Sequence, residues 1–349
     1  MKKKVVIGLS GGIDSSMAAL MLKNQGYEVI GLHFSFINEK YNLKLDEIAS
    51  RLRISLVNID LTNDFEIVKQ HFASEYLKGR TPSPCTYCNR VIKWQKLIEF
   101  ADRNNCEHIS SGHYIRTIEK DGFYHLQKGI DIVKDQSYFM WELNSDTIKR
   151  MITPLGDYTK QQVREYAKEN GFNDLAIKKE SMGVCFLENT DYRDFLRKYI
   201  PDKMDKIAIG DVIDEQNQII GSHEGYIHYT IGQKRGLTLK ESRQAYVSKI
   251  DAKRNELVIG EKKSLNHFNI ALNELHLINS TSFMVGSRVI ANIRGLGLNP
   301  EDPAIVTSRN NNSLELKLSK PAWAVAPGQP VVLYENDIVL GGGIAKRSW

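Results

Sequence analysis

Two groups of residues in this chain have the types and spacing to do chemistry. The first is Gly8-Leu9-Ser10-Gly11-Gly12-Ile13-Asp14-Ser15-Ser16. It follows an apolar run, Val5 to Leu9, that reads as a buried strand, and leads into Ser15 to Asn24, which reads as a helix with Gly26 as its C-cap. At such a turn the unpaired N–H groups of the first helical turn and the positive end of the helix dipole converge, so an anion belongs there. Gly8 to Ser15 can cradle a phosphate: Gly11 and Gly12 allow close backbone approach, Ser10 and Ser15 add hydroxyl donors, and Asp14 can hold a Mg²⁺ bridging the oxyanions. The loop lacks the lysine of G-x-x-x-x-G-K-S/T and does not fit G-x-G-x-x-G, so it is a different phosphate cradle.

The second group is the cysteines, Cys85, Cys88, Cys106 and Cys185. Cys85 and Cys88 form a C-x-x-C pair behind Pro82 and Pro84. Cys88 falls where a helix is expected to begin, near Arg80, Arg90 and Lys93, a setting that favours the thiolate. Cys185, in Gly183-Val184-Cys185-Phe186, meets Cys88 only through folding. Cys106 reads as structural. In a reducing compartment these thiols are expected to be catalytic or metal-binding rather than bridged.

The elements that must position them alternate. A strand is expected over Tyr27 to Phe36, a helix over Leu45 to Leu52, a strand over Ile54 to Ile59 and a helix over Asp64 to Leu77. An irregular proline-bearing loop, Thr81 to Cys88, then precedes a helix from about Asn89 to Asn104 and a strand ending at His108 to Ser111. This pattern predicts a parallel sheet covered on both faces, with ligands beyond the carboxyl ends of its strands. Beyond Pro201 short strands and turns replace helices, and Arg288 to Ile293, Leu314 to Leu318 and Val331 to Tyr334 read as strands of a terminal barrel. Domains are expected at 1–200, 201–272 and 273–349. With 42% hydrophobic and 26% charged residues in 349, disorder and low-complexity scaffolds are excluded. A formal charge of +5 is compatible with a polyanionic partner without demonstrating one. No apolar run approaches the roughly 18 residues of a membrane helix, so a cytoplasmic protein with no membrane partner is expected.

Ser-Gly-Gly-Ile-Asp-Ser after a first strand resembles the PP-loop of the ATP pyrophosphatases, which cleave ATP between its α and β phosphates and adenylate a substrate oxygen. Further motifs narrow the resemblance. Gly79-Arg80-Thr81-Pro82-Ser83-Pro84 with Cys88-Asn89, Ser111-Gly112-His113-Tyr114, Lys134-Asp135-Gln136-Ser137-Tyr138-Phe139, Pro154-Leu155-Gly156, Gly183-Val184-Cys185-Phe186, Tyr229 to Leu237, Pro327-Gly328-Gln329 and Gly341 to Ile344 are similar, in order, to signatures of the tRNA-specific 2-thiouridylases, the MnmA family. The resemblance implies an α/β, Rossmann-like PP-loop domain, a small mainly β central domain and a C-terminal β-barrel. It also implies that ATP activates the C2 oxygen of the wobble uridine in lysine, glutamate and glutamine tRNAs, and that sulfur then displaces AMP.

By position, the resemblance implies ATP contacts at Gly8, Leu9, Ser10, Gly11, Gly12, Ile13, Asp14, Ser15, Phe34 and Gly112, with Asp14 orienting metal or phosphate. Cys185 would carry a persulfide that attacks C2, and Cys88 would attack the sulfur–sulfur bond. The tRNA would touch Ser83, Pro84, His113, Lys134, Asp135, Gln136, Lys234, Arg235, Arg294 and Gln329. The sulfur donor would be a cysteine desulfurase, a relay protein or free sulfide.

Cys85 departs from the family pattern, which commonly has aspartate there. Three readings stand side by side: Cys85, Cys88 and Cys185 hold a 4Fe-4S cluster whose fourth iron takes hydrosulfide; the cysteines run a metal-free persulfide relay; or C-x-x-C holds zinc. Met182 replaces a common glutamine, Arg294-Gly295-Leu296 replaces a more aromatic segment, and the stretch after Phe34 is short. Two other functions compete. A PP-loop ligase would have nitrogen attack the adenylate and would tolerate loss of the cysteines, and a metal-stabilised RNA-binding module would have no catalysis.

Overall fold

The computed structural model describes residues 3–36, 43–178, 183–187, 190–240, 245–295 and 299–349. Met182, Leu296, Gly297 and the stretch 37–42 lie outside them. The chain forms two compact units: residues 1–67, 85–186 and 336–340 make the first, and 68–84, 187–335 and 341–349 the second.

The first unit is built on β1 (Lys4–Gly8), β2 (Glu28–Ser35), β3 (Ser55–Asp60), β4 (His108–Ser111) and β7 (Met151–Ile152). They pair in the order β3-β2-β1-β4-β7, all parallel. Val5, Val6 and Ile7 at its centre have no solvent exposure, as a strand covered on both faces requires. The chain runs outward from β1 through β2 to β3, then restarts on the other side at β4. The crevice at the carboxyl ends of β1 and β4 is therefore a topological switch point, where open α/β sheets bind ligands.

On one face, α1 (Ile13–Asn24) packs with α2 (Leu43–Leu52) and α7 (Lys160–Glu169) through Met17, Leu22, Leu45, Leu52 and Val163. On the other, α5 (Trp94–Arg103) lies against β1 and β4 with Trp94 and Leu97 buried. An antiparallel hairpin, β5 (Ile115–Lys120) and β6 (Phe123–Lys128), pairs at Gln127 with Ile338.

One expectation needs correcting. Thr81 to Cys88 is not irregular throughout, because Pro84 opens a helix, α4 (Pro84–Cys88). Proline is favoured in a first helical turn, where its missing N–H costs nothing, so it starts structure here. The chain continues through a π-helical turn, Asn89–Lys93, directly into α5, and Cys88 sits inside a continuous helical segment rather than at its start.

In the second unit, β8 (Gly210–Ile213), β9 (Ile219–His223), β10 (Thr238–Leu239), β11 (Tyr246–Asp251) and β12 (Glu256–Gly260) form a small sheet. Beyond it, β13 (Asn266–Leu277), β14 (Arg288–Asn292), β15 (Ala304–Arg309), β16 (Ser313–Trp323), β17 (Pro330–Glu335) and β18 (Ile338–Ser348) run in the order β13-β16-β15-β14-β17-β18. Pairing of β13 with β18, from Ile270 with Ser348 to Leu277 with Gly341, closes a six-stranded barrel. Along β16, buried Leu314, Leu316 and Leu318 alternate with more exposed Glu315 and Lys317, the period-two pattern of a wall with a dry inside. The fold class is thus an α/β unit with a parallel sheet, followed by a small β-rich region and a terminal barrel.

Candidate active site

Beyond the carboxyl ends of β1, β2 and β4 lies a cavity of about 310 Å³ in the first unit. Gly8, Leu9, Ser10, Asp14 and Ser15 of the phosphate-type loop line its floor, and Phe34, Phe36, Lys93, Trp94, Gly112, His113 and Gln136 are among the residues of its walls. The loop is shaped by its own hydroxyls. Ser15 Oγ accepts from the Ser10 N–H at 3.1 Å and lies 3.1 Å from Ser10 Oγ, while Ser16 Oγ donates to Gly12 O at 2.8 Å. Gly11 takes φ +73°, a left-handed conformation that glycine adopts without strain. Gly12, the N-cap of α1, offers no side-chain acceptor, so the first-turn N–H groups are not capped by a side chain and keep their capacity for an anion.

Gly112 closes the loop from above. A Cβ there would lie 2.5 Å from Ser15 N and 2.7 Å from the Asp14 carbonyl carbon, so only glycine fits against the first turn of α1. Gly112→Ala is expected to destabilise the protein by about 1–3 kcal/mol and to weaken ATP binding, because the backbone that must move is the cradle itself. Thermal unfolding and equilibrium dialysis with ATP would check both.

Asp14 lines the cavity but is already engaged. Lys160 Nζ lies 2.7 Å from its Oδ1 and 2.8 Å from its Oδ2, and the Tyr114 hydroxyl donates to Oδ1 at 2.7 Å. Asp14 keeps 31% side-chain exposure, so a face of the carboxylate remains for a cation such as Mg²⁺.

Cys85, Cys88 and Cys185 belong to the same unit. Cys185, which is exposed, lies near enough that its negative charge would raise the pKa of both Cys85 and Cys88. Phe34, Phe36, Phe65 and Phe186 run in ring contact from the cavity wall to the neighbour of Cys185, at centroid distances of 6.1, 4.7 and 5.8 Å. Cys88 is only 4% exposed, and burial pushes its thiol up to about 12, partly offset by Lys93. The expectation of a thiolate favoured by a helix start and three cations is therefore corrected. The helix begins earlier, Arg90 is paired with Glu142 at 2.8 Å, and Arg80 lies 2.9 Å from Glu75, leaving Lys93 as the cation acting on Cys88.

No group of three or more His, Cys, Asp or Glu among the described residues stands together as metal ligands. Cys85 and Cys88 are carried within one helix, at i and i+3, and Cys185 lies on a separate exposed turn.

His113 lines the same cavity. Burial and Lys93 pull its pKa down to about 3, so its ring is neutral; its Nδ1 pairs with Ser111 Oγ at 2.8 Å. The Trp94 indole N–H is buried with no acceptor among the described residues, an unused donor at the cavity wall.

Family models match almost the whole chain: tRNA methyl transferase HUP domain over 3–189, tRNA methyl transferase PRC-barrel domain over 193–261 and aminomethyltransferase beta-barrel domain over 270–345. A curated relative named tRNA-specific 2-thiouridylase MnmA 2, from Phocaeicola vulgatus, is 38% identical over 98% of this chain and 97% of its own. The chain belongs to the MnmA family. A second MnmA, from Clostridium acetobutylicum, is 36% identical over 99% of this chain and 100% of its own. A solved 4-thiouridine synthetase in complex with RNA and ATP covers 57% of this chain and 51% of its own at 18% identity and a TM-score of 0.39.

The remaining positions singled out by the MnmA resemblance take varied settings. Asp135 is a turn organiser, accepting from Gly129 N at 3.1 Å and from the Ser137 hydroxyl at 2.7 Å. Gln136 Oε1 accepts from Tyr114 N at 3.1 Å, and Lys134 N is held by Asp131 Oδ1 at 3.2 Å. In the second unit, Gln329 Nε2 donates to Thr81 O at 2.9 Å and Pro327 O accepts from Thr81 N at 2.8 Å, so the loop bearing Ser83 and Pro84 is pinned beside Gln329. Lys234 and Arg235 are exposed on a turn tied down by the Tyr229 hydroxyl on Gly236 O at 2.6 Å. Arg294 is anchored, its Nη2 donating to Trp323 O and Ala324 O at 3.0 Å each.

Sequence reasoning missed Lys160, Tyr114 and Trp94 in the site. The Thr159 and Gln162 capping box announces the start of α7 and hence the place of Lys160. Nothing local announces its partner.

Proposed function

We propose that this protein is an ATP-dependent tRNA-uridine 2-sulfurtransferase that converts the wobble uridine of lysine-, glutamate- and glutamine-type tRNAs to 2-thiouridine. The observation that carries this reading is one cavity with a phosphate-type loop as its floor and Lys93 on its wall, the same lysine whose charge acts on the cysteines. A carbonyl oxygen is a poor leaving group until adenylated, so the nucleotide and the sulfur must act on the same carbonyl group, the nucleotide at its oxygen and the sulfur at its carbon.

In this reading Gly8 to Ser15, Phe34 and Gly112 hold ATP, and the N–H groups of the first turn of α1 take up phosphate charge. Asp14 would hold Mg²⁺, which when bound supplies further neutralisation of the polyphosphate. The C2 oxygen attacks the α phosphorus and pyrophosphate leaves. The terminal sulfur of a Cys185 persulfide then attacks C2 and AMP leaves with the oxygen. The Cys88 thiolate next attacks Cys185 Sγ and breaks the S–S bond, leaving sulfur on C2 and a Cys88–Cys185 disulfide; the same attack on the persulfide before it reaches C2 would instead release hydrogen sulfide beside the adenylate, and in either route a thiol reductant restores the two cysteines. If Cys85, Cys88 and Cys185 instead held a 4Fe-4S cluster, it would supply sulfide-level sulfur in place of the persulfide. A cysteine desulfurase or a relay protein would supply the sulfane sulfur of the persulfide, whereas free sulfide, already reduced, would attack C2 of the adenylate directly.

The tRNA would reach Ser83, Pro84, His113, Lys134, Gln136, Lys234, Arg235, Arg294 and Gln329, with Asp135 acting through its turn. The reacting C2 is inaccessible in a stacked anticodon loop, so the base must be extruded. Among the described residues no helix is long and apolar enough to cross a membrane, and a cytoplasmic location accords with a tRNA substrate.

The direct test incubates reduced protein with ATP, Mg²⁺, a sulfur source and unmodified lysine tRNA, followed by nucleoside mass spectrometry. 2-Thiouridine at the wobble position is expected. Pyrophosphate release with a nitrogen-ligated product instead would establish the ligase alternative.

A further inference from the structure

We infer that Lys160 is a positioning residue that occupies Asp14 and so keeps the phosphate loop from capturing a divalent cation before the nucleotide arrives. The inference rests on the ATP site proposed above and assigns a role to a residue outside the cavity lining.

A carboxylate inside an anion-binding loop is an electrostatic contradiction. Left alone, Asp14 would repel a polyphosphate and attract any free divalent ion. The structure resolves this with two donors. Lys160 Nζ bridges both carboxylate oxygens at 2.7 and 2.8 Å, and the Tyr114 hydroxyl takes Oδ1 at 2.7 Å. Both donors come from well-fixed groups. Lys160 is 8% exposed and Tyr114 2%. The backbone N–H of Lys160 donates to Asp131 Oδ2 at 2.9 Å, and the Thr159 capping box fixes the first turn of α7.

The arrangement makes Oδ1 fully used and leaves Oδ2 as the oxygen with accepting capacity. Asp14 can then serve a cation only through one oxygen, which is weak on its own and adequate when the cation already carries polyphosphate oxygens. The ammonium also cancels the carboxylate charge facing the incoming polyanion.

The test measures binding directly. Mn²⁺ alone is titrated and followed by the electron paramagnetic resonance of the free ion, and ATP alone is measured by equilibrium dialysis in excess chelator. Lys160→Met is expected to bind Mn²⁺ more tightly and metal-free ATP more weakly, each by about tenfold or more, and Lys160→Arg to restore both towards wild type. Asp14→Asn is expected to lose Mn²⁺ binding while binding metal-free ATP more tightly, since it leaves the ammonium uncompensated. That variant tests the inference even where Lys160→Met does not fold.

Unchanged affinities, or a loss of both in Lys160→Met, would reduce Lys160 to a structural contact and overturn the inference, as would weaker metal-free ATP binding in Asp14→Asn. Wild-type protein that binds no ATP with or without Mg²⁺ would instead remove the nucleotide site itself.

Discussion

Replacement of Cys185 by serine is expected to lower 2-thiouridine formation by about 10³-fold or more while leaving tRNA-stimulated release of pyrophosphate intact, with a cysteine desulfurase as sulfur source. Serine keeps the shape of the side chain but cannot carry a sulfane sulfur, and Cys185 is exposed where Cys88 is buried and Cys85 partly so, so it is the one a donor can reach. The adenylation half-reaction depends on the Gly8–Ser15 loop and should not notice the change. Nucleoside mass spectrometry and a pyrophosphate assay on the same samples separate the two half-reactions. A serine variant that thiolates at the wild-type rate would remove Cys185 from the sulfur path.

The second large effect concerns Cys88. With its pKa pushed up to about 12 by burial, only about one thiol in 10⁵ is ionised at pH 7 in the substrate-free protein. The thiolate is the form that reacts, so alkylation of Cys88 by iodoacetamide should be very slow and should accelerate about tenfold per pH unit through pH 7 to 10. The sign follows from a raised pKa on an acid that is neutral when protonated: reactivity is absent below it and grows as pH climbs towards it. Cys185 should label first under the same conditions. Peptide mapping of the alkylated protein reads both rates. Rapid, pH-independent labelling of Cys88 would show that its thiolate is already stabilised. Lys93→Met should slow Cys88 further, because the lysine charge is what opposes burial at this thiol.

How much of this was legible in the sequence follows from what is local. Gly8 to Ser16 could be read directly because the strand, the glycines, the hydroxyls and the helix start are contiguous, and a phosphate cradle needs little more. The parallel sheet followed from the alternation of short apolar runs with helical periods. The terminal barrel followed from period-two strands such as Leu314 to Leu318. Its closure by β13 on β18 is a long-range pairing that no local pattern specifies.

The site was less legible wherever it depends on partners far apart in sequence. Lys160 is 146 residues from Asp14, and an isolated lysine at the first turn of an amphipathic helix looks like any solvent-facing charge. Gln329 is 248 residues from Thr81, and its amide is spent on fixing a loop. For Cys88, Pro84 was read as a breaker when it opens a helix, and that displaced the helix start by several residues and reversed the inferred electrostatics of the thiol. At Cys88 burial, which the sequence does not display, outweighs the nearby Lys93 charge.

The route of the chain has a practical consequence. It changes unit after Ile67, Pro84, Phe186, Glu335 and Leu340. Neither half is therefore a contiguous stretch that a single pair of cloning boundaries could release, and β18 contributes its opening residues to one half and the rest to the other. Splitting the gene at Phe186 should give fragments that are insoluble alone and recover only when co-expressed. Recombination between related genes would similarly have to exchange the whole reading frame, so that the nucleotide pocket and the barrel are inherited as one piece.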